Sequence, residues 1–147
     1  MNKLYPLKFN PIFKEKIWGG DKIRTVFGMD YAPLPNCGEA WVLPGYGEEI
    51  SVVNNGFLAD NQLDELIDIY MSDLVGDAVF EKYGNKFPLL IKILNSNDWL
   101  SIQVHPDDAL AESRHNDLGK TEMWYVADAE PGAELISGFN RNMDAEQ

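Results

Sequence analysis

The stretch Ser101–Glu122, SIQVHPDDALAESRHNDLGKTE, carries the pattern on which the fold turns. In an extended segment successive side chains face opposite sides, so Trp99, Ser101, Gln103 and His105 share one face and Leu100, Ile102 and Val104 the other. The apolar side suits packing under a helix. The polar side, with an amide and an imidazole, needs another reason. A second extended segment, KTEMWYVAD, begins at Lys120 and sets Lys120, Glu122 and Trp124 against Thr121, Met123 and Tyr125. Between the two, residues 106–119 open with Pro106 at a helix-start position, carry acidic residues in the first turn and close with Gly119. That is the pattern of a long hairpin whose loop holds a small helical turn.

If both segments line one cavity, an amide oxygen, an imidazole nitrogen and a carboxylate converge there, with the Ser101 hydroxyl and the Lys120 ammonium close by. Such donors suit a borderline divalent cation such as zinc. With Glu122 as the only anionic ligand, the centre would keep net positive charge and could polarise a carbonyl. Each residue also has a plainer reading. His105 precedes a proline and can be a turn residue, Lys120 and Glu122 can be surface polarity, and Gln103 can satisfy a buried backbone group. His115, among Asn and Asp in the loop, reads as solvated. Trp18, Trp41, Trp99 and Trp124 read as core, although Trp99 lies on the polar face.

Upstream, the first 60 residues alternate short apolar segments (KEKIWGG, GEAWVLPGYG, EEISVVNNG) with Gly, Pro and Asn, the rhythm of short strands in an all-β sandwich or barrel. Asn54-Asn55-Gly56 marks a tight turn. From Asn61 the period changes. Leu63, Leu66, Ile67, Tyr70, Met71 and Leu74 recur at helical spacing, predicting an amphipathic helix over Gln62–Leu74 packed on a sheet. A second short helix is expected over Asp77–Tyr83, stopped by Gly84. Phe87–Leu94, FPLLIKIL, reads as a strand buried on both faces. Lys92 interrupts it and reads as an edge or snorkelling lysine unless it has a partner or a wet cavity.

The 147 residues fit one domain, with no repeat or linker to divide them, and 45% hydrophobic content is that of a folded chain. The 24 acidic residues outweigh 12 basic ones for a formal charge of -12, and no cationic stripe exists. Nucleic acid and anionic membranes are therefore excluded as partners. No apolar run approaches the ~20 residues of a membrane helix. The N-terminus, with its charges and proline, is unlike a signal peptide. The single Cys37 rules out an intrachain disulfide. A cytoplasmic protein is expected.

LKFNPIFKEKIWGG, GEAW at Gly38–Trp41, SVVNNG, FPLLIKIL, SIQVHPDD and GKTEMWYV occur in the order of the type I mannose-6-phosphate isomerases, and the sequence resembles their shorter bacterial form over essentially its whole length. The resemblance implies a mainly β fold, a cupin jelly-roll barrel with a helical insertion at about residues 62–83, incomplete within this chain. It implies a metal-dependent enzyme interconverting mannose 6-phosphate and fructose 6-phosphate, with one divalent ion, Zn2+ by the donor chemistry, and a sugar phosphate as partner. The family's metal ligands fall on Gln103, His105 and Glu122, its substrate-facing positions on Ser101, Lys120 and Lys92, with Lys120 also the candidate catalytic group. The generic cupin pattern has His-x-His followed shortly by Glu. Here Gln stands for the first His and the loop to Glu122 is longer, which fits the isomerases.

Related isomerases continue further and supply a fourth ligand His and an Arg, neither matched here. After AELISG, read as a strand, Asn142 or Asp144 would cap a helix only one turn long. The expectation is an N-terminal portion that binds zinc weakly and isomerises little by itself. The alternative is a non-catalytic cupin-like fragment that binds a sugar or a metal. Oligomeric state is left open.

Overall fold

A computed structural model describes residues 3–45, 47 and 49–141. The residues expected to cap a terminal helix, Asn142 and Asp144, lie outside them. The chain divides into two compact units, Met1–Leu100 and Ser101–Gln147.

The first unit is built on a three-stranded antiparallel sheet of β1 (Ile12–Lys14), β2 (Glu39–Pro44) and β3 (Leu90–Leu94), in the order β1-β2-β3. Register fixes what each face carries. Phe13 pairs with Ala40 and Ala40 with Ile93, so these three share one side. They meet Ile23 of α1 (Lys22–Thr25), Tyr31 and Cys37 in a buried cluster. The opposite face carries Lys14, Glu39, Trp41 and Lys92, since Lys14 pairs with Glu39 and Trp41 with Lys92. A register shift between Trp41 and Leu43 marks a bulge in β2.

The FPLLIKIL strand is therefore an edge and is not buried on both faces: Leu89 and Ile91 are 53% and 48% exposed. A continuous apolar run is compatible with a fully enclosed strand, but only pairing decides, and among the described residues β2 alone pairs with it. The KEKIWGG segment follows β1 as a close crossing. Trp18 O accepts from Asn97 N–H at 2.8 Å and Gly20 O from Cys37 N–H at 3.1 Å. A Cβ on Gly20 would lie 2.5 Å from the Asn95 side chain, whose Oδ1 accepts the Lys22 N–H at 2.8 Å. Only glycine admits that approach.

The helical segment is three helices: α2 (Leu63–Tyr70), α3 (Ser72–Val75) and α4 (Asp77–Tyr83). α2 starts at Gln62 in a capping box, Glu65 accepting the Gln62 N–H at 2.9 Å. It ends four residues before the predicted Leu74 because Met71 takes φ 49°. Apolar spacing still holds across the break. Leu66 packs on Val53 and Leu58, and Tyr70 and Leu74 join the same cluster with Leu4, Tyr5, Leu7 and Phe9. α2 thus packs on the N-terminal segment and the residues around the 3-10 turn Gly56–Leu58, where the sequence had predicted a sheet. α4 matches its expected span, ended by Gly84 at φ 59°.

The second unit contains one helix among its described residues, α5 (Asp108–His115). Asp107 caps it, accepting the Leu110 N–H at 2.8 Å, and Asn116 ends it in the left-handed region at φ 51°. Residues 99–107, 117–130 and 133–137 form no strand, contrary to the reading of SIQVH, KTEMWYVAD and AELISG. Ile102 and Val104, expected to pack under a helix, are 75% and 79% exposed. Alternation dictates which way side chains point, but a ladder also needs a partner edge, and here one backbone bond, Lys120 N–H to Pro106 O at 3.2 Å, joins the two segments. The described residues accordingly hold a small sheet and helices, and no closed barrel. No helix among them is long and apolar enough to cross a membrane.

Candidate functional site

Three of the residues singled out in the sequence meet in the second unit. His105 Nε2 lies 3.5 Å from Glu122 Oε1, and Lys120 Nζ lies 3.4 Å from that nitrogen and 3.0 Å from that oxygen. His105 is held beside Pro106, whose carbonyl ties down Lys120. Extended backbone then carries Glu122 to the side of Lys120. An ammonium can only donate, so this contact is a hydrogen bond in the tautomer whose Nε2 carries no proton. Two acceptors thus converge on one cation.

Partial burial alone would raise the Glu122 carboxyl. The Lys120 ammonium, with smaller help from the Trp124 indole and His105, outweighs this and holds it below the ordinary carboxylate range. The carboxylate is therefore ionised at neutral pH. Trp124 Nε1 donates to Glu122 Oε2 at 3.5 Å, which places this tryptophan at the site, where the sequence had read core.

Ser101 and Gln103 form a separate pair: the Gln103 amide N–H donates to Ser101 Oγ at 3.0 Å. That bond engages the amide nitrogen and not the carbonyl oxygen. No hydrogen bond or ion pair among the described residues links this pair to the His105, Lys120 and Glu122 group.

The donor set fits a divalent ion in one respect that can be checked. Two ligands of a tetrahedral ion with bonds of ~2.0–2.1 Å stand roughly 3.3–3.4 Å apart, and Nε2 and Oε1 are 3.5 Å apart. Among the described residues no three His, Cys, Asp or Glu side chains cluster to hold a metal. A metal site here would need a third donor of another kind, such as an amide oxygen or water.

Lys92 belongs to the first unit and is neither free nor snorkelling. Its Nζ lies 3.4 Å from Glu39 Oε2 and 5.8 Å from the centre of the Trp41 ring. Glu39 also accepts from Trp41 Nε1 at 2.6 Å and faces Lys16 at 3.8 Å. Beside this face a cleft of ≈ 530 Å³ is lined in part by Lys14, Trp41, Glu49 and Leu90, with Lys14 paired to Glu49. The sequence reading missed Glu39. Its one signal was a carboxylate inside an apolar strand, two residues before a tryptophan.

Burial would raise the Glu39 carboxyl, but the Trp41 indole, Lys92 and Lys16 together bring it below the usual range. A lowered value means stability that is complete above the unfolded pKa of about 4.3 and is lost as pH falls through the folded one. Glu39→Gln is expected to destabilise by about 1–3 kcal/mol at pH 7, with the difference shrinking below about pH 4. Urea titrations at pH 7 and pH 3 check this, and a gap of equal size at both would contradict it.

The model for phosphomannose isomerase type I, catalytic domain, matches residues 6–137. Mannose-6-phosphate isomerase of Streptococcus mutans serotype c is 44% identical over 133 residues, covering 90% of this chain and 40% of that protein. The probable mannose-6-phosphate isomerase GmuF of Bacillus subtilis is 43% identical over 144 residues, 97% of this chain and 44% of that protein. The solved structure of the mannose 6-phosphate isomerase from Bacillus subtilis superposes with a TM-score of 0.66 at 35% identity, over 78% of this chain and 35% of that one. The chain spans about two-fifths of the length of the curated relatives it matches.

Proposed function

Because the chain belongs to the type I phosphomannose isomerase family, we propose that it contributes the metal-binding part of a cupin-type aldose-ketose isomerase acting on mannose 6-phosphate and fructose 6-phosphate. The observation that carries this reading is the convergence of His105 Nε2 and Glu122 Oε1, 3.5 Å apart, on the Lys120 ammonium. His105, Glu122 and Gln103 would hold the ion, Zn2+ by donor type. A bound dication supplies Lewis-acid polarisation of the sugar carbonyl.

The isomerisation moves a proton between C1 and C2, and the chain's own groups serve the oxygens. Lys120, an ammonium beside the proposed donors, would donate to a sugar or phosphate oxygen. Ser101, oriented by the Gln103 amide, offers a hydroxyl to the substrate. Lys92 is assigned to substrate by its family motif alone. The buried free thiol of Cys37, its proton held more tightly by burial, suits a cytoplasmic setting.

In a coupled assay on the longer isomerase that carries this part, formation of fructose 6-phosphate from mannose 6-phosphate should stop on chelation and return with zinc. Turnover that survives metal removal would contradict the reading. Lys120 would also oppose the ion, because its ammonium faces the same two donor atoms and like charges a few ångströms apart repel by roughly 1–2 kcal/mol in a watery setting. Lys120→Met should therefore bind zinc about tenfold more tightly while losing turnover. Weaker zinc binding in that variant would make Lys120 a support of the site and not a competitor for it.

A further inference from the structure

We propose that Asp108 and Gly119 form a clasp that sets the spacing of His105 and Glu122, which makes Asp108 a positioning residue for the proposed metal site. The inference rests on the metal reading of that site. Asp107 and Asp108 are neighbours with different tasks. Asp107 caps α5 through the Leu110 N–H. Asp108 reaches across the loop, its Oδ1 accepting the Gly119 N–H at 3.0 Å.

The next residue, Lys120, donates its backbone N–H to Pro106 O at 3.2 Å. Two adjacent bonds therefore close the loop around α5 at its base. His105 adjoins one end of this closure and Glu122 stands two residues beyond the other. The crossing is close enough to demand glycine. A Cβ on Gly119 would stand 2.5 Å from Asp107 C and from Asp108 N, and 2.8 Å from Asp108 Oδ1. Gly119 does not terminate α5, which ends at Asn116; the clasp is what its missing side chain permits. With few other bonds between the segments, the separation of the two donors depends on it. Partners that orient metal ligands from outside the coordination shell are typically worth ~10–100-fold in affinity.

Zinc titration of the metal-free 147-residue chain against a chromophoric chelator tests this. Asp108→Ala should weaken zinc by about tenfold, with the unfolding midpoint of the metal-free chain little changed. Asp108→Asn keeps a carbonyl acceptor at the same place but removes the charge, which also faces the positive N-terminal end of α5. It should restore affinity to within about threefold of wild type. Equal losses in both variants would assign the effect to charge at the helix end and overturn the clasp, as would wild-type affinity in Asp108→Ala. Glu122→Gln serves as reference. If it too binds zinc as wild type does, the site reading falls and the clasp with it. If it weakens zinc and Asp108→Ala does not, the clasp alone falls.

Discussion

Replacing His105 by Ala is expected to lower zinc affinity by more than ~100-fold, because even groups that only orient a ligand are commonly worth ~10–100-fold. His105 sets an imidazole beside Glu122: its side chain is 24% exposed and its Nε2 lies 3.5 Å from Glu122 Oε1 and 3.4 Å from the Lys120 ammonium. Without it, Glu122 keeps Lys120 at 3.0 Å as its cation and an entering ion meets one carboxylate. The other histidine provides the contrast. His115 is exposed in the last turn of α5, so His115→Ala should leave affinity unchanged. Competition titrations on both variants decide. Equal loss in the two would mean nonspecific histidine binding, and no loss in His105→Ala would remove it as a ligand.

The largest effect on folding is expected in α2. Leu66 is 1% exposed and packs between Val53 and Leu58. Truncation to Ala removes its transfer energy and leaves a cavity, together about 2–5 kcal/mol. For a small protein this is a large share of a total stability of roughly 5–15 kcal/mol. Ile69 lies on the other side of the same helix at 56% exposure, and Ile69→Ala should change stability by no more than about 0.5 kcal/mol. Thermal or urea unfolding of the pair separates core packing from helix propensity, which favours Ala in both substitutions. A loss in Leu66→Ala no larger than in Ile69→Ala would mean that α2 is not held by its buried face.

What the sequence revealed and what it concealed divide along the range of the interactions. The start of α2 at Gln62 and the stop of α4 at Gly84 are written in neighbouring residues, the first as a capping box and the second as a glycine free to take positive φ. Side-chain alternation is equally local. It brings Gln103 to Ser101 and Lys120 and Trp124 to Glu122, although neither segment joins a ladder. The break at Met71 was hidden because the apolar period runs through it and Leu74 reaches the same cluster. Edge or centre for FPLLIKIL depends on partners elsewhere in the chain, which composition does not encode. The Glu39 hub draws Lys92 of β3, Trp41 of its own strand β2 and Lys16 of the loop after β1 together. Asp108 and Gly119 meet across a helix that the sequence placed but whose base it did not close.

In the proposed site His105 and Glu122 bind one divalent ion through nitrogen and oxygen. X-ray absorption at the zinc edge of the zinc-loaded chain tests it most directly. The expected spectrum has a first shell of nitrogen and oxygen at ~2.0–2.1 Å with the outer-shell scattering of one imidazole, lost in His105→Ala. Zinc bound without imidazole scattering, or scattering unchanged in that variant, would contradict the claim.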